Sequence, residues 1–544
     1  MQFGPAHASQ KAVPWRAAAL AAFAIAAHAG TLENGFVYDD PKAILDNPVV
    51  NGTLSPWTAF SRDFWGLPAG HDIATYRPLP TLTFAAEWRW LGHEPWHFHA
   101  VNVLLHAAVV ATLYVVFAGL AGEQAALIAA AFFAVFAAPS EVVEANVGRS
   151  DLCLALCALL GFAAYRRSGF WTGALAAAAF ALGFLSKETA VVLPVAWCGI
   201  GFFLPESGSR PFPSLARLSA FVVVFIAYLA ARYHALGDIL TSHHLDPMYN
   251  PLGTQGTMGR LFGAGHIFLA RYLWGMVDPW RRLYTCSATA CMPATTSDPV
   301  AWIGLFCIAT LLAAPLLFFR KQPVIALGLF WFALFFFPVS NVPVLSTVAY
   351  AERLLYLPSL GLSIALGAVT MAIIRRARFG WMIFVVLAAV VGSNGFALQR
   401  RHRDWHDNAA LSFSGLALGA DSALVQSRVT RILLDRGDPA AAEVHARRAL
   451  DLWPAFPSAE SQLAQALDQL DRIEESEIHF ARSVVGESPP LGNVLTYIGH
   501  LVARRRFPDA HQVIEKAEKL FPESAQVAQA RANFEKLMAE ASGK

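Results

Sequence analysis

Charge is what this 544-residue chain has least of. Only 15% of its residues are Asp, Glu, Lys or Arg, and 56% are hydrophobic; ordinary soluble domains are about 25% charged. The deficit is concentrated in long apolar runs, which excludes a soluble globular protein and points to a polytopic membrane protein. A net charge of +2 leaves no electrostatic footprint for nucleic acid. Six cysteines are too few for a disulfide framework. Cys153, Cys157, Cys198 and Cys307 fall inside apolar runs and read as core thiols, whereas Cys286 and Cys291 lie in a polar loop and could pair in an oxidising compartment. The first apolar run, after Arg16, has no small-residue cleavage site and reads as an uncleaved span. Polar residues in the middle of the apolar runs are also scarce, which argues against a transporter.

What is present is a succession of about eleven apolar stretches, from 14–32 to 380–399, each near the length that crosses a bilayer. Several are rich in Ala and Gly, which lets helices pack closely. Short basic clusters fall between alternate stretches: Lys11/Arg16, Arg166/Arg167, Arg210/Arg217, Arg320/Lys321 and Arg375/Arg376/Arg378. With eleven spans all five lie on one side, which should be cytoplasmic. For that count to hold, Leu261 to Val277 must lie on the outer surface or be re-entrant. The polar loops 33–97, 139–150, 186–189, 236–299 and 340–353 then face the other side, together with everything after the last span. From about Asp404 hydropathy drops, and a loose repeat of about 34 residues ends in Trp453-Pro454 and Phe521-Pro522; this is tetratricopeptide spacing, two antiparallel helices per unit.

The candidate chemistry sits at the span boundaries. Asp39 and Asp40 are adjacent carboxylates just beyond the first span, with Pro41 fixing the backbone behind them. Taken alone, such a dipeptide reads better as a solvated turn. Arg77, Glu141, Glu144, Arg149, Lys187, Glu188, Glu352 and Arg353 all fall on the same predicted side. Mixed charge of this kind suits a pocket that holds an anionic phosphate with Arg and Lys and activates a partner with carboxylates. Taken singly, each reads better as an interfacial anchor. His99, Asn102 and His106 share a helix face, where interhelical hydrogen bonding is preferred over a metal site because a third strong ligand is missing. Arg271, Arg281 and Arg282 are further candidates for a lipid phosphate. Paired aspartates serve a cation as well as a proton, so a divalent cation stays open and no other cofactor is implied.

Tyr38-Asp39-Asp40-Pro41, Asn47-Pro48-Val49-Val50, Phe64-Trp65-Gly66 and Tyr76-Arg77-Pro78-Leu79 together resemble the first luminal loop of the transmembrane and tetratricopeptide-repeat-containing family, O-mannosyltransferase-like proteins of the GT-C fold. The resemblance continues in order through Phe98-His99 to His106, Glu141 to Asp151, Ser186-Lys187-Glu188-Thr189, Pro338 to Asn341, Ala351-Glu352-Arg353 to Ser359, and Arg403-Asp404-Trp405. It implies an all-α protein: a GT-C-type membrane bundle over 1–403, then a tetratricopeptide α-solenoid over 404–544. It also implies an integral-membrane glycosyltransferase that moves a sugar, often mannose, from a polyprenyl-phosphate donor to a Ser or Thr hydroxyl of a protein on the non-cytoplasmic side. Asp39 and Asp40 match the acidic motif that carries the base. Arg149, Lys187 and Arg353 would stabilise the leaving phosphate, and Glu141 or Glu144 would orient a substrate. The chain departs from the family at Ala138-Pro139-Ser140, where relatives carry His-Pro, and its repeat array is short. The Ala-rich composition favours a bacterial plasma membrane. The competing reading is a non-catalytic membrane scaffold whose repeats assemble an envelope complex.

Overall fold

The computed structural model describes residues 13–69, 75–205, 212–239, 247–280, 284, 295–376, 380–418, 422–486, 489–522 and 524–541. Cys286, Cys291, Arg281 and Arg282 lie outside them. The regular elements among the described residues are helices, and the chain divides at Leu411/Ser412 into two compact units.

The first unit begins with α1 (Pro14–His28), whose proline occupies the first helical turn, where its missing N–H costs nothing. A long loop with single helical turns leads to α2 (Pro78–Leu91). The 27-residue α3 (Pro95–Ala121), about 40 Å long, packs on α1, α4 (Glu123–Val135) and α6 (Arg149–Tyr165). The single turn α5 (Glu141–Glu144) lies between α4 and α6. Next come α7 (Phe170–Ser186), α8 (Leu193–Phe203) and α9 (Leu215–Leu236). The segment Thr257–Val277 is helical throughout: α10 (Thr257–Ile267), a π-turn over Phe268–Leu273, and α11 (Trp274–Val277). The unit closes with α12 (Pro299–Phe318), α13 (Pro323–Phe336), α14 (Tyr356–Ile374) and α15 (Gly380–Asp404).

Among the described residues, six helical segments are long and apolar enough to cross a membrane: Pro95–Ala121, Asn146–Tyr165, Leu215–Leu236, Pro299–Phe318, Glu352–Ile374 and Gly380–Asp404. Several present apolar side chains outward, among them Val223, Phe306, Leu316, Leu317 and Val386. Only a hydrocarbon solvent suits such surfaces, and the chain is an integral membrane protein. Apolar packing alone barely drives helix association in lipid, so close backbone approach matters. A methyl group on Gly304 of α12 would land on the Gly265 carbonyl of α10, and one on Gly361 of α14 would land on the Gly328 carbonyl of α13.

Outside the apolar belt, the loop after α1 builds its own small core, in which Val37, Ile44, Phe64, Phe84, Phe98 and Trp405 pack together. This core fixes the acidic pair. Tyr38 adopts a left-handed φ of 65° and packs edge-on against Tyr284 and Trp405. A large side chain tolerates that conformation only when its surroundings hold it.

α16 (Asn408–Leu418) runs across the dividing point in the chain. In the second unit, α17 (Ala423–Asp435) pairs with α18 (Pro439–Leu452), α19 (Pro457–Gln469) with α20 (Ile473–Ser483), and α21 (Leu491–Ala503) with α22 (Phe507–Leu520); α23 (Ala525–Ala541) follows. Helices start at 423, 457, 491 and 525, and their partners at 439, 473 and 507, in steps of 34 residues. The tight turn inside each pair uses a left-handed residue at the same phase: Gly437, Asp471 and Arg505. Small buried residues also recur in phase, as Ala442, Ser476 and Ala510, and as Ala449, Ser483 and Ala517.

Candidate functional site

The two aspartates have different surroundings. The Asp40 side chain is fully buried and accepts from the Asn146 backbone N–H (3.1 Å), the Asn146 Nδ2 (3.0 Å) and the Val147 N–H (3.0 Å). It therefore caps the turn that opens α6 from a distant part of the chain. Burial pushes its carboxyl up to about 7, against those N–H donors, which favour the anion. Asp39 is only half-buried, and its charge reaches the guanidinium of Arg353.

Arg353 leads into α14 and pairs with Glu141, whose Oε2 also accepts the Arg353 backbone N–H at 2.9 Å. Lys187, at the corner between α7 and α8, places its Nζ 2.7 Å from both carboxylate oxygens of Asp151. Burial holds its ammonium below the ordinary lysine value despite Asp151; Arg77 and Arg353 push the same way as burial. Arg77 donates twice to Glu188 Oε2, at 3.1 and 3.3 Å, and stacks over Phe64. Glu188 is also 3.7 Å from Arg232 of α9. Four carboxylates (Asp39, Glu141, Asp151, Glu188) and four cations (Arg77, Lys187, Arg232, Arg353) thus form one connected group. It draws on the first loop, α5, α6, the α7–α8 corner, α9 and the start of α14. Within it Glu188, Arg353 and Arg77 are open to solvent, at 33%, 21% and 21%, while Lys187, Asp151 and Glu141 sit at 9% or less.

The remaining candidates lie elsewhere. Arg149, assigned above to the leaving phosphate, is fully buried with all five N–H donors used. They go to Glu87 (both oxygens), Thr83, Asn102 and the Phe98 carbonyl, and the guanidinium lies 4.4 Å above the Phe84 ring. No donor is left for a substrate, because Glu87 of α2 meets it where the loop core folds back. Glu144 is likewise enclosed by Thr31, Asn34 and His402. His402 donates at both ring nitrogens, to Glu144 and to the Ala27 carbonyl, which marks the cationic form. Glu352 is buried against Arg401 of α15.

His99 donates to the Gly35 carbonyl, Asn102 bridges the Ala145 carbonyl and Arg149, and His106 accepts from the Tyr356 hydroxyl at 2.8 Å. These contacts tie α3 to its neighbours. Among the described residues, no group of three His, Cys, Asp or Glu side chains is placed to hold a metal ion. The sequence reading missed Arg232 and Glu87. A lone arginine inside the apolar α9 was the available signal for the first, since a charge there needs a partner; Glu87 carried no local signal.

A family model described as dolichyl-phosphate-mannose-protein mannosyltransferase matches residues 80–230. That interval contains Glu141, Asp151, Lys187 and Glu188 and stops short of Arg232 and Arg353. Protein O-mannosyl-transferase TMTC3 of Homo sapiens is 25% identical over 81% of this chain and 52% of its own length. Protein O-mannosyl-transferase Tmtc1 of Drosophila melanogaster is 27% identical over 82% of this chain and 62% of its own. The chain resembles the protein O-mannosyl-transferases. It spans about half to three-fifths of the length of these O-mannosyl-transferase relatives. The crystal structure of ArnT from Cupriavidus metallidurans bound to undecaprenyl phosphate superposes with a TM-score of 0.40 at 14% identity, covering 85% of this chain and 79% of that one. Likeness at that level carries no conclusion.

Proposed function

We propose that this chain is a GT-C-type glycosyltransferase that moves a sugar, mannose by its relatives' names, from a polyprenyl-phosphate donor to a protein hydroxyl. The observation that carries the reading is Asp39: a half-buried carboxylate, beside Arg353, in a group of fixed charges open to solvent on one side. Asp39 accepts the acceptor's hydroxyl proton as its oxygen bonds to the anomeric carbon. The bond from that carbon to the phosphate oxygen breaks in the same step, with inversion, and the electron pair leaves on the phosphate. Arg353, Arg77 and Lys187 are the cations placed to receive that charge. Glu141 and Asp151 hold two of these cations in position, and Glu188 holds the third. Asp40 acts one step removed, fixing the turn that carries Asp39. Should a divalent cation take part, the half-buried Asp39 would be the carboxylate to hold it.

The bundle is proposed to have eleven spans, α1, α3, α4, α6–α9 and α12–α15, with the acidic group on the non-cytoplasmic side of a bacterial plasma membrane. Support for this orientation comes from the basic residues at the other helix ends, Arg166, Arg167, Arg217, Arg320, Lys321, Arg375 and Arg376. The second unit is proposed to be a tetratricopeptide array that presents protein acceptors, supported by its 34-residue steps. The test is transfer from labelled polyprenyl-phosphate sugars to candidate peptides by the purified chain. Asp39→Asn should abolish transfer with melting temperature unchanged; full activity in that variant rejects the assignment.

A further inference from the structure

The other end of α6, about 25 Å from Arg149 along the helix, carries a second concentration of charge that the proposed reaction does not use. A cavity of ≈ 550 Å³ opens there between the α6–α7 turn and the start of α9. Arg166, Arg167 and Arg217 line it, with no carboxylate among the described lining residues.

Arg217 is held rigidly. It donates to the Tyr165 carbonyl at 2.9 Å, to the Arg167 carbonyl and to Thr172 Oγ1 at 3.3 Å, and stacks on the Tyr165 ring. The Arg166 Nε is buried without a hydrogen-bond partner. Burial, with Arg167 beside it, works against the charge on this guanidinium. Two helices also begin at the cavity, α7 behind Gly169 and α9 behind Ser214, so the positive ends of both dipoles point there. Here three arginines and two helix starts converge at the end of α6 with no carboxylate among the described lining residues.

The rim identifies the occupant. Phe170, Trp171, Phe212 and Leu215 are 76–80% exposed beside the arginines. Aromatic and apolar side chains standing clear of the protein next to arginine are the surface of a bilayer interface. We infer that this cavity binds the phosphate-bearing headgroup of an anionic membrane lipid, its phosphate on Arg166, Arg167 and the starts of α7 and α9, its acyl chains lying along Phe170 and Leu215. The site is independent of the proposed transferase reaction and lies at the opposite end of α6.

The experiment is native mass spectrometry of the full chain, delipidated in detergent and titrated with phosphatidylglycerol, phosphatidylcholine or glycerol 1-phosphate. Phosphatidylglycerol should be retained at least about tenfold more tightly than phosphatidylcholine, the worth of one charge-assisted hydrogen bond or more. Arg166→Gln/Arg167→Gln should remove that preference, whereas Arg166→Lys/Arg167→Lys should keep most of it. If the Gln pair lowers the melting temperature, Arg167→Gln alone, with its side chain at the surface, replaces it and should lower the preference in part. Equal retention of the two lipids, or an unchanged preference in the Gln variants, overturns the inference. Displacement of the lipid by glycerol 1-phosphate at equal concentration overturns the lipid as occupant in favour of a free phosphate.

Discussion

Two sets of charges in the first unit use the same residue types in different ways. In one, Arg149, Glu87, Asp40, Glu144, His402, Glu352 and Arg401 are all buried, and their main partners lie inside the protein. In the other, Asp39, Arg77, Glu188 and Arg353 are partly open; Asp39 acts on Arg353, and Glu188 pairs with Arg77. The lesson is that sequence position at a span boundary does not separate a brace from a working group. What separates them is burial: the braces are closed off together with their partners, whereas the second set keeps part of its charge open to solvent.

The sharpest way to break the comparison is to exchange one residue from each set. Asp39→Asn should lower transfer by about 10²–10⁴-fold, the usual worth of a positioned base, with no loss of fold. Next in size, Arg149→Met should destabilise the protein by about 3–5 kcal/mol, because Glu87 stays buried without its partner. Thermal unfolding in detergent measures it, and Glu87→Leu added to Arg149→Met should recover much of the loss. If Arg149→Met instead weakened donor binding in a fully stable protein, the division into braces and working groups would fail.

Asp40 gives a third, smaller effect with a definite sign. Its carboxyl sits at about 7 in the fold against an ordinary 3.8, so the folded state favours the protonated form. The stabilisation it contributes is complete below about pH 4 and is lost as pH rises through 7. Asp40→Asn cannot ionise, so the fall in melting temperature between pH 4 and 7 should be shallower in that variant. It should also cost about 1–3 kcal/mol, because its amide would face an N–H donor. The smallest effect belongs to the second unit. Arg505 is exposed at a φ of 57°, in a position that Gly437 fills two steps earlier in the series. Arg505→Gly should raise the stability of that unit by up to about 1 kcal/mol, measured by its unfolding midpoint.

The comparison also shows what the chain reveals before folding. The apolar stretches, their basic flanks and the 34-residue rhythm are local or periodic, and helices recur at those places. Asp39, Arg77, Glu141, Lys187, Glu188 and Arg353 were singled out from motif and boundary alone, and the structure brings them together. Hidden from the sequence was the separation of Asp39 from Asp40, since it depends on the left-handed turn at Tyr38 and the aromatic packing that holds it. Hidden too was the saturation of Arg149, whose partner Glu87 lies 62 residues earlier. Pairings across such distances have no local signature. The span count was only partly legible, because α4, α7, α8 and α13 are apolar but short, and length is the criterion that finds a span.

The even pitch of the C-terminal helices has a practical corollary. Since α17, α19, α21 and α23 begin at one interval, at Ala423, Pro457, Leu491 and Ala525, excising residues 457–490 would join α18 to α21 across the same kind of seam it now shares with α19. Neighbour-only contacts make such a chain editable by whole modules: the shortened protein should fold with one fewer pair, whereas a cut of 30 or 38 residues would leave every later helix out of step.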